Sequence, residues 1–199
     1  MPPEPILLIL DLDETLLHAT ASRLDTPPDF EVFGYFVYQR PGLEEFLRRM
    51  AAHFRLAVWS SASDDYVQEI VRRIVPPDVP LEFAWGRSRC TPFSLSTVDD
   101  HGYYDLGQPS HYQYAKRLKK VRRRGYDLRR VLIVDDTPAK VRQHYGNAIY
   151  PTPFEGQPDD QELPALAHYL LALKDAENVR GLEKRHWRNQ APQPPDQQQ

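Results

Sequence analysis

Residues 6–17 read Ile6-Leu-Leu-Ile-Leu-Asp11-Leu-Asp13-Glu-Thr15-Leu-Leu17. An apolar run of this kind, free of Gly and Pro, predicts a strand buried on both faces, as strands inside parallel sheets are. The run ends abruptly in two carboxylates, Asp11 and Asp13. Alternate residues of a strand point the same way, so both acids are aimed at one small volume above the carboxyl edge of a sheet, where open α/β folds place their ligands. Two anions in one pocket repel each other, and the arrangement makes sense when a proton, a cation or both are shared between them. The alternative is an acidic turn whose side chains bond nearby backbone N–H groups. The rest of the chain bears on that choice.

Two further buried runs end in the same manner. Leu56-Ala-Val-Trp59 gives way to Ser60-Ser61-Ala62-Ser63, and Val131-Leu-Ile-Val134 gives way to Asp135-Asp136-Thr137-Pro138. Between the first two runs, Phe30 to Tyr38 predicts a hairpin about Gly34, and Arg40-Pro41-Gly42 opens a helix with Leu43, Phe46, Leu47 and Met50 on one face. A second helix is expected from Asp64 to Val75, a strand at Leu81–Trp85, an irregular functional loop over 86–110, and a basic helix over Tyr112–Arg124. A helix from Pro138 to Tyr145, a short strand at Ala148–Tyr150 and an amphipathic helix over Glu162–Ala176 follow. This β-α-β-α order predicts an α/β fold: a Rossmann-like parallel sheet with helices on both faces, small hairpin and loop insertions and no large cap. In a parallel sheet the three polar strand ends lie on one edge. Convergence of three such ends is far less expected by chance than any one motif.

Composition narrows the class. The chain has 199 residues, 41% hydrophobic and 27% charged, with net charge −3, and nothing global in it favours nucleic acid or membrane. One domain is expected over residues 1–178, with a C-terminal tail over 179–199 that is disordered from about 190, where Pro, Gln and Asp dominate. The single cysteine, Cys90, allows no intramolecular disulfide or thiolate zinc knuckle and reads as a buried small hydrophobe. The N-terminal apolar run is too short for a signal or a membrane span, so the expected location is cytoplasmic.

The chemistry follows from charge. A carboxylate that attacks a phosphoryl group needs a divalent cation to offset both charges, and three carboxylates at a strand edge supply hard oxygen ligands for Mg²⁺. The phosphoryl group needs neutral and cationic donors, for which Ser60 and a lysine are suited. A second acid, Asp13, is placed to protonate the departing oxygen and then activate water.

These motifs, Asp11-Leu-Asp-Glu-Thr15, Ser60, a lysine-bearing segment and Ile-Val-Asp135-Asp136-Thr-Pro, resemble the four signatures of the haloacid dehalogenase (HAD) superfamily. With Arg40-Pro41-Gly42, Trp-Ser-Ser-Ala-Ser, Tyr66 and Arg87 to Cys90, the chain is more narrowly similar to FCP/SCP-like (NIF-type) phosphatases over about residues 5–155. The resemblance implies Mg²⁺-dependent hydrolysis through an aspartyl-phosphate. Asp11 is then the nucleophile and Asp13 the general acid/base, which also gives its backbone carbonyl to the metal. Thr15 holds the loop, Ser60 and Ser61 contact the phosphoryl oxygens, and Lys116 neutralises the intermediate. Asp136 ligates Mg²⁺, and Asp135 orients Lys116 and metal-bound water. Ser60 stands where the family commonly has Thr, and Asp136 where it has Asn. The stretch after Lys116 is longer than the family pattern, which leaves Lys119 and Lys120 as alternatives to Lys116. Arg87 is a candidate substrate contact.

A phosphorylated macromolecule, foremost a protein phosphoserine or phosphothreonine, is the expected partner. A nucleic-acid end phosphatase using the basic patch Lys116–Arg130 is the alternative within catalysis, and a non-catalytic phosphopeptide-binding module the alternative outside it.

Overall fold

The computed structural model describes residues 4–94 and 112–190. Strand β1 (Leu7–Leu10) is followed by β2 (Leu17–Thr20), β3 (Phe30–Val32) and β4 (Tyr35–Gln39), then helix α1 (Leu43–Ala51). Next come β5 (Arg55–Trp59), α2 (Asp64–Ile74), β6 (Leu81–Trp85), β7 (Thr91–Ser94), β8 (Tyr112–Ala115) and α3 (Lys119–Arg122). The described chain closes with β9 (Val131–Val134), α4 (Pro138–Val141), β10 (Ala148–Ile149), α5 (Glu162–Leu173) and α6 (Trp187–Gln190).

Five strands form one parallel sheet in the order β10-β9-β1-β5-β6, with the stretch that opened the sequence reading at its centre. Leu10 stands beside both Val58 and Val134, so Asp11, the end of β5 and Asp135 emerge at one level of the carboxyl edge. The alternation of the buried strands divides two cores. Leu8, Leu10, Val58 and Val134 face α1, α2 and α5, while Leu7, Ile9, Trp59 and Ile133 face Trp85, Leu118 and Val121. β2, β4 and β3 form a separate antiparallel sheet between β1 and α1, and no larger insertion stands there. Its hairpin turns at Phe33 (φ 48°) and Gly34 (φ 82°), both in the left-handed region that a tight two-residue turn demands. No helix among the described residues is long and apolar enough to cross a membrane.

Three expectations are corrected. The basic helix over 112–124 divides: Tyr112–Ala115 pairs antiparallel with β7, and only Lys119–Arg122 is α-helical. Tyr112-Gln-Tyr-Ala alternates in the β manner, and the hairpin partner outweighs the helical propensity of the basic run. The boundary at residue 178 falls inside packed structure, since Val179 and Trp187 are fully buried in the core and Trp187 Nε1 donates to the Tyr150 carbonyl (3.0 Å). Of the irregular loop expected over 86–110, Thr91–Ser94 form β7 instead; the rest of that expectation beyond 94, and the tail expected beyond 190, lie outside the described residues. Arg40, at the foot of α1, is buried and binds Asp160 through Nε and Nη2, both at 2.8 Å. It also donates to the carbonyls of Thr15 (3.0 Å) and Thr152 (2.9 Å), tying the loop after β1 to the segment before α5.

Candidate active site

The loop after β1 is built by its own backbone. Asp11 N–H extends the sheet to the Val134 carbonyl (3.0 Å), after which Leu16 and Leu17 N–H groups return to the Leu12 carbonyl. Glu14, at φ 57°, takes the left-handed conformation that closes this turn, a strain typical of sites whose surroundings hold them in place. Thr15 is fully buried, and its hydroxyl accepts the Asp136 N–H (3.2 Å). It therefore braces the first motif against the last, a contact suited to a residue that holds the loop.

Lys116 leaves the end of β8 and is 1% exposed, with Nζ 2.8 Å from Asp11 Oδ1 and 2.6 Å from Asp135 Oδ2. Lys119 is exposed, and Lys120 Nζ is spent on the carbonyls of Arg89 and Cys90, so Lys116 is the motif lysine that reaches the cluster. Lys116 is thereby removed from the proposed basic surface. Arg130 is likewise engaged, with the Ala176 and Glu4 carbonyls, and Arg129 pairs with Asp127.

The two leading carboxylates face different partners. Asp11 Oδ1 also accepts the Leu12 N–H (2.8 Å), and Oδ2 lies 3.3 Å from Lys140 Nζ. Asp13 accepts from Tyr66 Oη (2.7 Å) and Ser60 Oγ (3.2 Å), while Ser60 Oγ accepts the Ala62 N–H (3.0 Å). Their protonation separates accordingly. Burial opposes the charge on Asp11, but Lys116 and Lys140 outweigh it and hold the carboxyl below its usual range. On Asp13, burial and the Asp11 charge prevail over the Tyr66 and Ser60 bonds and push the carboxyl up. Asp135 is raised to about 6 by burial and by Asp11. A charged acid beside one inclined to keep its proton is the pairing that nucleophile and general acid require.

Asp11, Asp135 and Asp136 offer carboxylate oxygens within 4.8 Å of one another. Asp135 Oδ1 accepts the Thr137 N–H and Asp136 Oδ2 the Thr137 hydroxyl, whereas Asp136 Oδ1 is buried with no hydrogen-bond partner. An orphaned, buried carboxylate oxygen beside two further carboxylates fits a hard divalent cation. Asp13 stands outside this group; only its backbone carbonyl, the contribution implied by the resemblance, is left for a metal.

Beside Asp13 opens a cleft of about 420 Å³ whose wall includes Phe33, Tyr35, Tyr66 and Arg87. Arg87 is exposed, with Nε on the Ser61 carbonyl (2.9 Å) and its guanidinium over Tyr114, so it fixes the Ser61 backbone at the cleft. Cys90 is buried and its thiol is pushed up by desolvation, as expected of a packing residue. The sequence reading missed the role of Tyr66 and missed Lys140 entirely. The signal for Lys140 was present in Asp136-Thr-Pro-Ala-Lys140, an acid and a base one helical turn apart.

The model of the NLI interacting factor-like phosphatase family matches residues 6–180. The chain is 28% identical over 183 residues to "Carboxy-terminal domain RNA polymerase II polypeptide A small phosphatase 1" of Homo sapiens, covering 88% of this chain and 62% of that protein. It is 28% identical over 200 residues to "Nuclear envelope morphology protein 1" of Schizosaccharomyces pombe, covering 90% and 37%. The chain thus spans between 37% and 62% of the length of these two relatives. Among solved structures, a fission yeast RNA polymerase II CTD phosphatase Fcp1 bound to beryllium fluoride matches with TM-score 0.52 at 17% identity, over 94% of this chain and 48% of that one. At that identity the likeness establishes the HAD fold.

Proposed function

We propose that this chain, which belongs to the NLI interacting factor-like phosphatase family, hydrolyses phosphomonoesters on protein serine or threonine through a phosphorylated Asp11. The observation that carries the reading is the pairing at one strand edge of Asp11, held by Lys116 at 2.8 Å, with Asp13, held by Tyr66 at 2.7 Å and Ser60 at 3.2 Å.

A carboxylate oxygen of Asp11 bonds to phosphorus as the bond to the ester oxygen breaks, and that oxygen leaves with the proton of Asp13. Asp13, now ionised, takes a proton from water; the water oxygen bonds to phosphorus, the Asp11–phosphorus bond breaks and inorganic phosphate departs. Lys116 stays beside Asp11 throughout, offsetting the charge carried into the phosphoryl group. Ser60 donates from the neighbouring strand end, its oxygen fixed by the Ala62 N–H. Asp11 and Asp136 would hold Mg²⁺, which when bound offsets phosphoryl charge as a Lewis acid.

The substrate class is supported by access. Only the small sheet of β2, β3 and β4 lies between the first motif and α1, and the cleft beside Asp13 presents Phe33 at 64% and Tyr35 at 44% exposure, a surface suited to a peptide flanking the phosphate. Relatives named as phosphatases of the polymerase carboxy-terminal domain point the same way. Asp11 bonded to Lys116 and Asp13 bonded to Ser60 at the same strand edge argue for turnover over a merely binding module.

The test is release of phosphate from phosphoserine and phosphothreonine peptides. Activity is expected to vanish in EDTA and to return with Mg²⁺, and undiminished turnover in EDTA would contradict the metal reading. A second measurement examines the acid. Tyr66→Phe removes a bond that lowers the Asp13 carboxyl, so the Asp13 value should rise and the alkaline limb of kcat/KM should move to higher pH. Movement to lower pH would remove Asp13 from the general-acid role.

A further inference from the structure

The carboxylate cluster already contains a cation, supplied by the chain. Lys140 Nζ lies 3.3 Å from Asp11 Oδ2, 3.8 Å from Asp136 Oδ1 and 4.0 Å from Asp135 Oδ1, the same three acids that offer oxygens within 4.8 Å of one another. It faces Asp136 Oδ1, the buried oxygen with no hydrogen-bond partner. The backbone of Lys140 is fixed, because its carbonyl accepts the Lys116 N–H (2.8 Å) and α4 begins at Pro138. Its side chain is the freer part, 19% exposed where that of Lys116 is 0%. The contacts differ in the same sense: Lys116 makes two short bonds of 2.8 and 2.6 Å, whereas Lys140 makes one longer bond of 3.3 Å to Asp11 and stands 3.8 and 4.0 Å from Asp136 and Asp135. Of the two lysines, Lys140 is the more exposed and the less tightly bonded.

Size forbids the two cations from sharing this volume. A Mg²⁺ ion draws its oxygen ligands to about 2.0–2.1 Å, so an ion held by these carboxylates would compete with the ammonium for the space among them. We propose that Lys140 is an internal counter-ion that holds the metal position among Asp11, Asp135 and Asp136 and swings outward when a divalent cation binds. It thereby sets the metal concentration at which the site loads. The inference rests on the metal reading above and adds to it a competitor encoded one helical turn after Asp136. In exchange, the lysine keeps three clustered carboxylates tolerable when divalent cation is scarce.

The test uses the full chain and reads binding, not turnover. Mn²⁺ is titrated calorimetrically into the parent protein, Lys140→Met, Lys140→Arg and Asp136→Asn, and melting temperatures are taken in EDTA and in excess Mn²⁺. Lys140→Met is expected to bind Mn²⁺ about tenfold or more tightly, since an opposing charge within 4 Å of the ligands is gone. It should melt lower than the parent in EDTA and show the larger rise on Mn²⁺ addition. Lys140→Arg, which keeps the charge, should bind no more tightly than the parent. Circular dichroism reports folding, and if Lys140→Met fails to fold, Lys140→Gln is titrated in its place. Unchanged or weaker binding in a folded charge-deleting variant, with binding still dependent on Asp136, overturns the proposal and leaves the metal site standing. Absence of binding in every protein, or binding indifferent to Asp136, overturns the metal reading and the proposal together.

Discussion

Asp11→Asn is expected to lower phosphate release by about 10⁴-fold or more, the scale on which removal of a covalent nucleophile acts. The amide preserves the volume of the side chain, and one of its atoms still faces Lys116 and Leu12 N–H, so the fold survives and the loss is chemical. Circular dichroism unchanged from the parent, together with no turnover of a phosphopeptide, is the expected pair of results. Asp13→Asn should behave differently. An activated ester such as p-nitrophenyl phosphate leaves without the help of an acid, so transfer to Asp11 continues while the water step stalls. Acid quenching of Asp13→Asn should then trap about one phosphoryl group per chain, and the same quench of Asp11→Asn should trap none. Residual turnover of Asp11→Asn near the parent level would place the nucleophile elsewhere.

Arg40→Met should cost about 3–5 kcal/mol of stability, as breaking a buried ion pair does when one partner is left behind. The Arg40 side chain is fully buried and that of Asp160 is 14% exposed, so little water is present to compensate the stranded carboxylate. The change also orphans the carbonyls of Thr15 and Thr152, and Arg40→Lys is no remedy because one ammonium cannot reproduce the two-pronged contact with Asp160. Urea unfolding measures the loss, and Arg40→Met with Asp160→Leu should recover much of it. Acid provides an independent check. Burial would raise the Asp160 carboxyl, but Arg40 outweighs it and holds it below the usual value. Its stabilisation is therefore present above the ordinary carboxylate range and is lost as pH falls through the depressed one. The gap between parent and Arg40→Met should narrow in that acid window. A gap independent of pH would mean that Arg40 acts through packing alone, including its contact over Phe154 at 5.3 Å.

What the sequence disclosed depended on how local each signal was. β1, β5 and β9 were legible because both faces of each are buried, which leaves uninterrupted apolar runs, and because a run that stops at acids or serines marks a strand edge. From there the convergence of Asp11, Ser60 and Asp135 needed only the parallel order. Lys116 follows an element that was misread, since a basic stretch scores as helix until a hairpin partner is seen. Lys140 carried only its one-turn spacing from Asp136, and its meaning exists only where α4 meets the end of β8. Arg40 and Asp160 are 120 residues apart, and no pattern within either neighbourhood announces the other. Val179 and Trp187 were assigned to a tail because polar residues surround them, although each buries its own side chain in the core.

The central place of β1 also governs how the molecule is made. Strand Leu7–Leu10 precedes both its neighbours in the chain: it receives one only when Arg55–Trp59 exists and the other only when Val131–Val134 does. Until then its two apolar faces and both hydrogen-bonding edges are open while the ribosome continues, the condition under which chains stick to one another. Pairing across such separations is slow to nucleate, so a truncated product ending before β9 is expected to aggregate and not to fold in part. Asp11, the proposed nucleophile, precedes its lysine and its companion acids by more than a hundred residues. A prematurely terminated chain thus carries Asp11 without the lysines that face it in the completed sheet, and the proposed reactivity would arrive only with that sheet.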